Sequence, residues 1–591
     1  MNDAVRTPRP PEQINASGTP LALDCHGWNF WAADRGVQDL ARLYLDADSL
    51  NHLMAHFDRM GELAGGRLDT LSRLADRHGP VVHPRDQFGR DEDWIEYHPA
   101  YREMEQIAFG DFQFHAMAHR PGVLGMDRPL PAVAKYIFQY LFVQSEFGLM
   151  CPISVTDTST HLIRRYGSED LKAYLLPRML ASDTASLWKG TQFMTEKTGG
   201  SEVGNIETTA RREDGIWRLT GGQWFCSHAD ADVALMLARP EGAQAGTSGL
   251  ALFACPRHLE DGSRNSYRIV RLKDKLGTRS MASGEIHFEN AKAYLVGDVT
   301  KGLKQMMDQV NLSRLSHCVR AAAMMRRCLN EALAASRSRV AFGKLTIQHP
   351  LMRRQLMKLM VPTEQALTIS MLAASAMDQD ASGDNAAAAL LRILTPLGKF
   401  RACRDNIQVA TGAMEVRGGN GYIEEWVNAR LVRDAHIGVL WEGTSNVNAI
   451  DVVRRAVGKA GAEEALDATL QRKLEEAGAL PAAFVARLDG LRKRTLAFAR
   501  QVARAPENER HARLAASALY NITSAVLMAW EGSRPGCDAR RAILSRFVVE
   551  HRLQPTDPLS GGDDGWEAEA IDVLLGDAPV SLDIAARLVT A

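Results

Sequence analysis

The feature that most constrains the fold is a change of periodicity along the chain. Between about residues 35 and 185, and again after Gly302, apolar residues recur at i, i+3 and i+4, as in Val37–His56 and Pro131–Phe147. This spacing is typical of amphipathic helices. Between about residues 190 and 296, short alternating or apolar runs separated by Gly, Asp and Asn indicate β-strands instead. The pattern predicts a mainly α-helical protein with a small central β domain.

The chain has 591 residues, enough for several domains at roughly 150 residues each. Its first 20 residues are rich in proline and polar side chains, which predicts a flexible arm. The changes of pattern then predict four further segments: an N-terminal helical domain (21–188), a β domain (189–300), a helical bundle (301–457) and a C-terminal helical extension (458–591).

Individual elements follow from the same patterns. We expect the strands at Gly215–Gly221, Asp232–Ala238, Gly249–Cys255, Tyr267–Leu272 and Gly284–Asn290. In the bundle we expect helices at Ala322–Ser336, Pro350–Met377 and Ala386–Val416, with a polar loop at Asp378–Asn385.

Charge and composition exclude several classes of protein. Lys and Arg number 70 against 71 Asp and Glu, so the net charge of −1 gives no overall attraction to nucleic acid or membranes. No apolar run reaches the ~18 residues of a membrane-spanning helix, and the N-terminus lacks the apolar core of a signal peptide. Eight scattered Cys without a C-x-x-C pair predict a reduced, cytoplasmic protein without a structural metal site. The 17 His form no H-E-x-x-H pattern, so we expect no catalytic metal.

The common nucleotide-binding motifs are absent. Gly418-Gly419-Asn420-Gly421 lacks the third glycine of G-x-G-x-x-G and follows a predicted helix rather than a strand. Gly343-Lys344 has no glycine five positions earlier, so it is not a P-loop. Neither a Rossmann fold nor a P-loop fold is therefore expected.

Three other segments are candidate sites. In Phe193–Asn205 two glycines flanked by Thr and Ser let backbone N–H groups approach a polyanion or a heterocycle edge; an ordinary turn is the alternative. Gln223-Trp-Phe-Cys-Ser227 places an aromatic pair beside small polar side chains; a core Trp is the alternative. The third candidate is Glu415–Tyr422 followed by Trp441-Glu-Gly-Thr-Ser-Asn446.

Together these segments resemble the acyl-CoA dehydrogenase flavoprotein family over about residues 100–457. Met194-Thr-Glu with Gly200-Ser-Glu202 resembles the first family signature, and Gly418-Gly-Asn-Gly-Tyr422 with the later Glu-Gly-Thr-Ser resembles the second. Arg339-Val-Ala-Phe-Gly343 is similar to the R-x-x-F-G segment of the bundle, and Gly277-Thr-Arg-Ser280 to the closing strands of the β domain. The resemblance implies the fold of that family, with a β-barrel-like domain that carries the flavin and substrate cleft.

Other motifs resemble the AidB-type, alkylation-response branch of the family. They are Lys197-x-Gly-Gly-Ser201, Arg271-Leu-Lys-Asp-Lys-Leu-Gly-Thr-Arg-Ser280, Phe88-Gly-Arg-x-x-Asp93 with His98-Pro-Ala, and a helical tail past residue 457. This second resemblance covers nearly the entire chain.

The resemblance implies FAD as the cofactor, an acyl-CoA thioester as the substrate and an electron-transfer acceptor as a partner. Removing hydrogen across Cα–Cβ needs a base for the α-proton, and burial raises the pKa of a carboxylate toward that of a weak carbon acid. Glu442 matches the base in the E-G-T motif; its alternative role is a flavin-pocket residue that preserves the electrostatics. The other position used in the family corresponds here to Ser313, beside Arg314, and Ser cannot be that base.

The resemblance also assigns cofactor contacts. The implied flavin-site residues are Met194, Thr195, Gly200, Ser201, Trp224, Gly418, Gly419, Thr444 and Asn446. Arg339 and Phe342 would reach the cofactor of a neighbouring subunit, which implies a homo-oligomer, most simply a tetramer. Two positions depart from the family: Glu202 replaces Asp, and Cys226 replaces the Thr that hydrogen-bonds flavin N5. A thiol is a weaker donor, so Ser227 or a backbone N–H would take that role.

The C-terminal extension raises a second hypothesis. Residues 487–546, the basic stretch, contain 12 Lys and Arg against five acids, whereas residues 547–591 contain two against nine. A basic helix face is commonly a solvated surface, but Lys493, Arg500 and Arg504 could bind a phosphodiester backbone, and the AidB-type branch would add Arg454. Two functions are therefore carried forward: an FAD-dependent acyl-CoA dehydrogenase, and a flavoprotein of the alkylation-damage response that binds double-stranded DNA with weak or no dehydrogenase activity.

Overall fold

The computed structural model of the chain describes residues 21–557, 559 and 565–590. The predicted flexible arm, residues 1–20, lies outside this part of the chain. In chain order the α-helices are α1 (Arg35–Tyr44), α2 (Ala47–Gly65), α3 (Arg67–Arg77), α4 (Pro99–Glu105), α5 (Ala132–Val143), α6 (Met150–Tyr166), α7 (Glu169–Met179), α8 (Gly302–Ser338), α9 (Pro350–Ala381), α10 (Asn385–Arg417), α11 (Val427–Ala435), α12 (Ser445–Ile450), α13 (Ala462–Glu476), α14 (Ala482–Arg504), α15 (Ala512–Gly532), α16 (Arg540–Val548), α17 (Gly565–Leu574) and α18 (Leu582–Thr590).

The β-strands are concentrated in the middle of the chain, as the change of periodicity predicts. They are β1 (Val81–Arg85), β2 (Asp91–Glu96), β3 (Gly190–Phe193), β4 (Thr209–Glu213), β5 (Ile216–Ser227), β6 (Val233–Pro240), β7 (Ala251–Pro256), β8 (Tyr267–Leu272), β9 (Ser283–Leu295), β10 (Val340–Ala341) and β11 (Lys344–Leu345). The predicted fold class, mainly α with a small β domain, is confirmed.

The chain forms two compact units. Of the described residues, the first unit combines those up to Arg67, the segment Pro131–Ser145 and those from Arg314 onward. The second unit combines Leu68–Leu130 with Glu146–Ser313. The five-segment division expected from the sequence stays a prediction.

The second unit is built around a closed β-barrel. The strands pair in the order β6-β4-β5-β9-β7, and β7 pairs with β6 again, so the ring of strands closes; β3 joins at β6 and β8 at β9. Closure removes the exposed sheet edges that favour aggregation. Strand β6 is buried along nearly its whole length, which explains its unbroken apolar sequence, and Leu235 and Leu252 lie in the core of this unit.

The first unit is a helical assembly whose boundaries are set by caps. The Asp384 side chain accepts a hydrogen bond from the Ala386 backbone N at 2.8 Å and so begins α10, while α9 continues through the predicted polar loop as far as Ala381. Similarly, the single helical segment expected at Val37–His56 is two helices. The Asp46 side chain accepts from the Ser49 N at 2.8 Å and starts α2 as a separate helix.

Buried ion pairs connect the C-terminal helices to the rest of the first unit. Arg541 of α16 contacts Glu364 of α9 at 2.5 Å and Glu531 of α15 at 2.7 Å. Arg326 of α8 binds the same Glu364, and it contacts Asp34 at 3.0 Å. The C-terminal extension is therefore packed into the first unit through charged side chains that water does not reach.

Within the described residues, no helix combines the length and the apolar character needed to cross a membrane.

Candidate functional site

In the second unit, the loop that carries the first signature is fixed by a buried carboxylate. Glu196 accepts hydrogen bonds from the Thr208 backbone N at 3.2 Å and from Gln223 Nε2 at 2.9 Å. The Trp224 backbone N donates to the Thr195 carbonyl at 2.7 Å. The Glu of this signature therefore ties the loop to strand β5.

The side chains that the loop presents differ in exposure. Met194 and Thr195 are half-buried, and Gly200 and Ser201 are exposed. A Cβ at Gly200 would meet only Thr195 Cγ2 at 3.8 Å, whereas one at the neighbouring Gly199 would lie 3.2 Å from the Ile206 backbone N. Of the two glycines of this motif, Gly199 is therefore the one that has less room for a side chain.

Trp224 lies where the register of β5 against β9 shifts, between Gln223 and Cys226. A β-bulge of this kind redirects side chains and is frequent near functional sites. Lys273 Nζ lies 3.1 Å from the centroid of the Trp224 ring and 2.6 Å from Glu285, so a cation held by an acid covers one face of the indole. Lys273 lies within the Arg271–Ser280 motif, and that motif is the signal in the sequence that points to this residue.

Cys226 is fully buried inside the second unit. Burial raises the pKa of its thiol well above the ordinary value. Ser227 is half-buried, and its carbonyl accepts a hydrogen bond from Thr191 Oγ1 at 2.7 Å. Of these two neighbours, Ser227 has the more accessible side chain for a ligand.

In the first unit, Glu442 lies in a turn of unusual backbone conformation. The turn, Trp441–Thr444, precedes α12, and Glu442 and Gly443 have φ values of +54° and +92°. Glycine adopts such values freely, but a glutamate does not. The Glu442 side chain is half-buried. Strain of this kind persists where the surroundings over-determine the backbone, and it clusters at functional sites.

Buried polar side chains surround the carbonyl groups of this turn. Arg314 Nε donates to the Glu442 carbonyl at 3.2 Å, and Asn448 Nδ2 donates to the Gly443 carbonyl at 2.7 Å. Lys399 Nζ donates to that same Gly443 carbonyl. Burial lowers the pKa of Lys399 to about 8. Neither Lys399 nor Asn448 is conspicuous in the sequence; the one signal for Lys399 is a single cation among apolar residues in Leu394–Phe400.

Arg314 is itself held by a buried acid from another part of the chain, Asp451. Its Nη1 contacts Asp451 at 2.6 Å, and Arg392 contacts the same carboxylate at 2.7 Å. Ser313 is buried. Arg314, which follows the Ser313 position in the chain, thus contacts the main chain of Glu442.

The second glycine motif ends α10 beside Arg339. Gly418 has φ +78° and ψ −148°, and a Cβ there would lie 2.7 Å from Arg339 Nη1. Gly419 faces open space, with nothing within 4 Å of where its Cβ would be. Phe342, in the turn between β10 and β11, is 96% exposed. Thr444 and Asn446 are exposed at the start of α12.

The basic stretch is largely neutralised by acids of the same unit. Lys493 contacts Asp489 at 2.6 Å and Arg500 contacts Glu463 at 3.2 Å. Arg454 Nη1 donates to the Ala503 carbonyl at 3.2 Å, and Arg504 is exposed. Seven of the 12 basic side chains form ion pairs, namely Arg487, Arg492, Lys493, Arg500, Arg540, Arg541 and Arg546.

Each unit, taken by itself, has groups whose chemistry suits part of a flavin dinucleotide. The second unit has an exposed hydroxyl at Ser201 and a half-buried aromatic ring at Trp224. The first unit has open space beside Gly419 and exposed polar side chains at Thr444 and Asn446. Over residues 21–557, 559 and 565–590, no cluster of three or more His, Cys, Asp or Glu side chains could hold a metal ion.

Three family models match the chain. They are the adaptive response protein AidB N-terminal domain at residues 22–184, the acyl-CoA dehydrogenase middle domain at 191–291 and the acyl-CoA dehydrogenase C-terminal domain at 300–457. The chain therefore belongs to the acyl-CoA dehydrogenase family. Within that family it is similar to the putative acyl-CoA dehydrogenase AidB of Escherichia coli strain K12, with 34% identity over 405 residues, 67% of this chain and 72% of that protein. The resemblance to the AidB-type branch is thereby confirmed.

A second relative supports the same fold over a longer span. Acyl-CoA dehydrogenase family member 11 of Caenorhabditis elegans is 31% identical over 431 residues, 71% of this chain and 69% of that protein. The fold is also similar to the crystal structure of Caenorhabditis elegans ACDH-11 in complex with C11-CoA. The match covers 95% of this chain and 97% of the ACDH-11 chain, with a TM-score of 0.84 and 25% sequence identity.

Proposed function

We propose that this protein is an FAD-dependent acyl-CoA dehydrogenase in which Glu442 removes the α-proton of the thioester. The observation that carries the proposal is the strained Glu442–Gly443 turn, whose carbonyls are bound by Arg314, Lys399 and Asn448. A general base must be held where it meets its proton, and a fixed main chain limits where its carboxylate can go. The structure of a relative with C11-CoA supports an acyl-CoA substrate.

In this proposal each residue of the chain has a defined task. The half-buried Glu442 carboxylate accepts the α-proton. Arg314, which is held by Asp451, keeps the backbone carbonyl of Glu442 in place. FAD, when bound, supplies the acceptor for the hydrogen at Cβ. The residues that would hold it are Met194, Thr195, Gly200, Ser201, Trp224, Ser227, Gly418, Gly419, Thr444 and Asn446, together with the main chain of Cys226.

We further propose that the protein is a homotetramer. Phe342 is 96% exposed, and Val340, two residues earlier in the same hairpin, is 64% exposed. Exposed apolar side chains that lie together mark protein–protein interaction sites. Tyr422 is 79% exposed. Arg339 precedes Val340 and would approach the cofactor of a neighbouring subunit. Light scattering of the flavin-loaded protein should give the mass of four chains of 65.0 kDa; a stable flavin-loaded monomer would contradict the shared site.

Binding of double-stranded DNA is the second candidate, and the exposed Arg504 together with Arg494 and Arg513 favours it. The ion pairs of Lys493 and Arg500 count against it, because a paired cation has less charge to offer a phosphate. We therefore rank it below the dehydrogenase.

Salt-titrated binding to random-sequence duplex separates the two functions. If about half of the 12 basic side chains contacted phosphates, the slope of log K against log salt would be roughly −5. The comparison is the parent against Lys493→Glu/Arg500→Glu/Arg504→Glu. We expect weak binding and the same shallow slope for both proteins; a steep slope that the triple variant loses would instead establish the DNA-binding function.

The dehydrogenase proposal is tested by anaerobic titration with acyl-CoA esters. The purified protein should carry about one FAD per chain, and short, medium and long saturated esters are added in turn, with the eleven-carbon ester among them. We expect at least one ester to bleach the flavin absorbance. If the flavin-loaded protein is bleached by none of them, the proposed activity is wrong.

A further inference from the structure

The turn that carries Glu442 needs external support. Glu442 and Gly443 are consecutive residues with positive φ, +54° and +92°. The glycine adopts its conformation at little cost, whereas the glutamate is strained and would relax if its surroundings allowed. Any such relaxation would move the Glu442 carboxylate.

Two carbonyls of this turn are each bound by a buried cation. Arg314 of α8 donates to the Glu442 carbonyl at 3.2 Å, and Lys399 of α10 donates to the Gly443 carbonyl. Asn448 adds hydrogen bonds to the Gly443 and Thr444 carbonyls at 2.7 and 3.1 Å. Hydrogen bonds from charged donors are roughly twice as strong as neutral ones. The turn is therefore held in its strained form from two different helices.

Burying the charged side chain of Lys399 at this position has a high desolvation cost. It is 1% exposed, so its ammonium group has lost nearly all of its hydration. The groups that face it are Cys403 on its own helix, Arg314 and His317 on α8, and Glu442 in the turn. Among these groups, in the part of the chain that the structure describes, Glu442 is the carboxylate. Since Glu442 is the carboxylate that faces this buried cation, we infer that the role of Lys399 is connected with Glu442.

We propose that Lys399 is a positioning residue of the proton-transfer step, which fixes the Glu442 main chain through the Gly443 carbonyl and stabilises the ionised Glu442 carboxylate through its charge. This inference rests on the proposed function, in which Glu442 is the base. It differs from the role of Arg314, because Lys399 titrates within the working range of an enzyme: burial lowers its pKa to about 8. A neutral amine is a weaker donor than an ammonium group.

The first experiment measures the turn itself and needs no substrate. Amide hydrogen exchange of peptides covering Trp441–Asn446 is followed in the flavin-loaded parent and in Lys399→Met, which keeps the length of the side chain but cannot donate. We expect exchange there to rise about tenfold, the effect of losing one hydrogen bond from a charged donor. The matched control is Lys135→Met, since Lys135 of α5 is likewise buried, at 6% exposure, and should leave these peptides unchanged.

The second experiment measures the reaction. Under anaerobic conditions with an ester that bleaches the parent, Lys399→Met should lower the limiting rate of flavin reduction at least tenfold and leave the half-saturating ester concentration unchanged. The parent rate should fall as pH rises through about 8, because Lys399 loses its proton there. Lys399→Arg, which stays protonated, should recover part of the rate and lack this fall.

The two experiments distinguish failure of the Lys399 inference from failure of the proposed function. Unchanged exchange at Trp441–Asn446 in Lys399→Met overturns the inference, and so does faster exchange with an unchanged limiting rate. If no ester bleaches the parent, the proposed function fails, and hydrogen exchange alone decides whether Lys399 holds the turn. Should Lys399→Met lose its flavin or its helical circular dichroism, Lys399→Gln takes its place, because it is too short to reach the same carbonyl and carries no charge.

Discussion

At the scale of single residues, two adjacent glycines of one motif have different duties. Gly418 has φ +78° and ψ −148°, a region that is essentially restricted to glycine, and its missing Cβ leaves room for Arg339. Gly419 has ordinary backbone angles and open space around it. The first glycine is needed for the backbone, whereas the second leaves a free surface beside it.

This contrast gives a matched pair of variants. Gly418→Ala should lower the free energy of unfolding by about 2 kcal/mol, since the new Cβ forces a strained conformation and displaces Arg339. Gly419→Ala should change it by less than about 0.5 kcal/mol. Urea unfolding of the flavin-loaded proteins measures both, and equal losses in the two variants would contradict this account of the motif.

The position of Glu442 could be predicted from a sequence motif, but the side chains that hold its turn in place could not. Glu442 and Gly443 are themselves part of the Glu-Gly-Thr-Ser motif, so their position can be read from the sequence. Arg314 and Lys399 reach the same turn from 128 and 44 residues away, and such contacts follow from helix packing rather than from local spacing. The buried thiol of Cys226 was equally invisible, because burial is decided by the closure of the barrel.

At the scale of secondary-structure elements, buried charges rather than apolar contacts alone define how the C-terminal helices dock. Glu364 of α9 binds both Arg326 of α8 and Arg541 of α16, and Glu531 of α15 binds Arg541. A buried charge that loses its partner is left without compensation. The arrangement therefore specifies one relative placement of these four helices.

Arg541→Met tests that arrangement. It leaves two buried carboxylates without their common partner, so the free energy of unfolding should fall by about 3–5 kcal/mol. The control is Arg540→Met on the same helix, where a more exposed ion pair with Asp538 should be worth less than about 1 kcal/mol. Urea unfolding followed by circular dichroism gives both values; a loss below about 1 kcal/mol for Arg541→Met would contradict the network.

Elements were predictable where the local pattern was strong. Strand β8 has the bounds that the sequence predicts, Tyr267–Leu272, and the long helices α9 and α10 lie where the periodicity places them. The split of Val37–His56 was missed, because the apolar spacing continues across the break while the break itself depends on the Asp46 cap. Periodicity reports which face is buried and is insensitive to a two-residue interruption.

At the scale of the whole molecule, buried histidines couple stability to pH. Burial lowers the pKa of His115, His161 and His228 to about 4, and it also lowers the pKa of His317. In the unfolded chain these side chains take up protons below the ordinary value of 6.5. The stability that depends on neutral histidines is thus complete above pH 6.5 and is lost as the pH falls toward 4.

Acid titration of stability should follow this linkage. Between pH 6.5 and 4 each such histidine should lower the free energy of unfolding by up to about 1.4 kcal/mol per pH unit. His115→Gln should reduce the slope of the free energy of unfolding against pH by the amount that corresponds to one bound proton, because the amide cannot be protonated. Urea unfolding at several pH values is the measurement, and an unchanged slope in His115→Gln would show that this histidine is not the source.

Stopped-flow reduction of the flavin measures most directly whether Glu442 takes the α-proton. Glu442→Gln is nearly isosteric but cannot accept a proton, so with an acyl-CoA that bleaches the parent its rate should fall by about 10²–10⁴. Glu425→Gln, at an exposed carboxylate nearby in the chain, should reduce its flavin at the parent rate. A Glu442→Gln protein that retains its FAD and is bleached as fast as the parent would show that Glu442 is not the base.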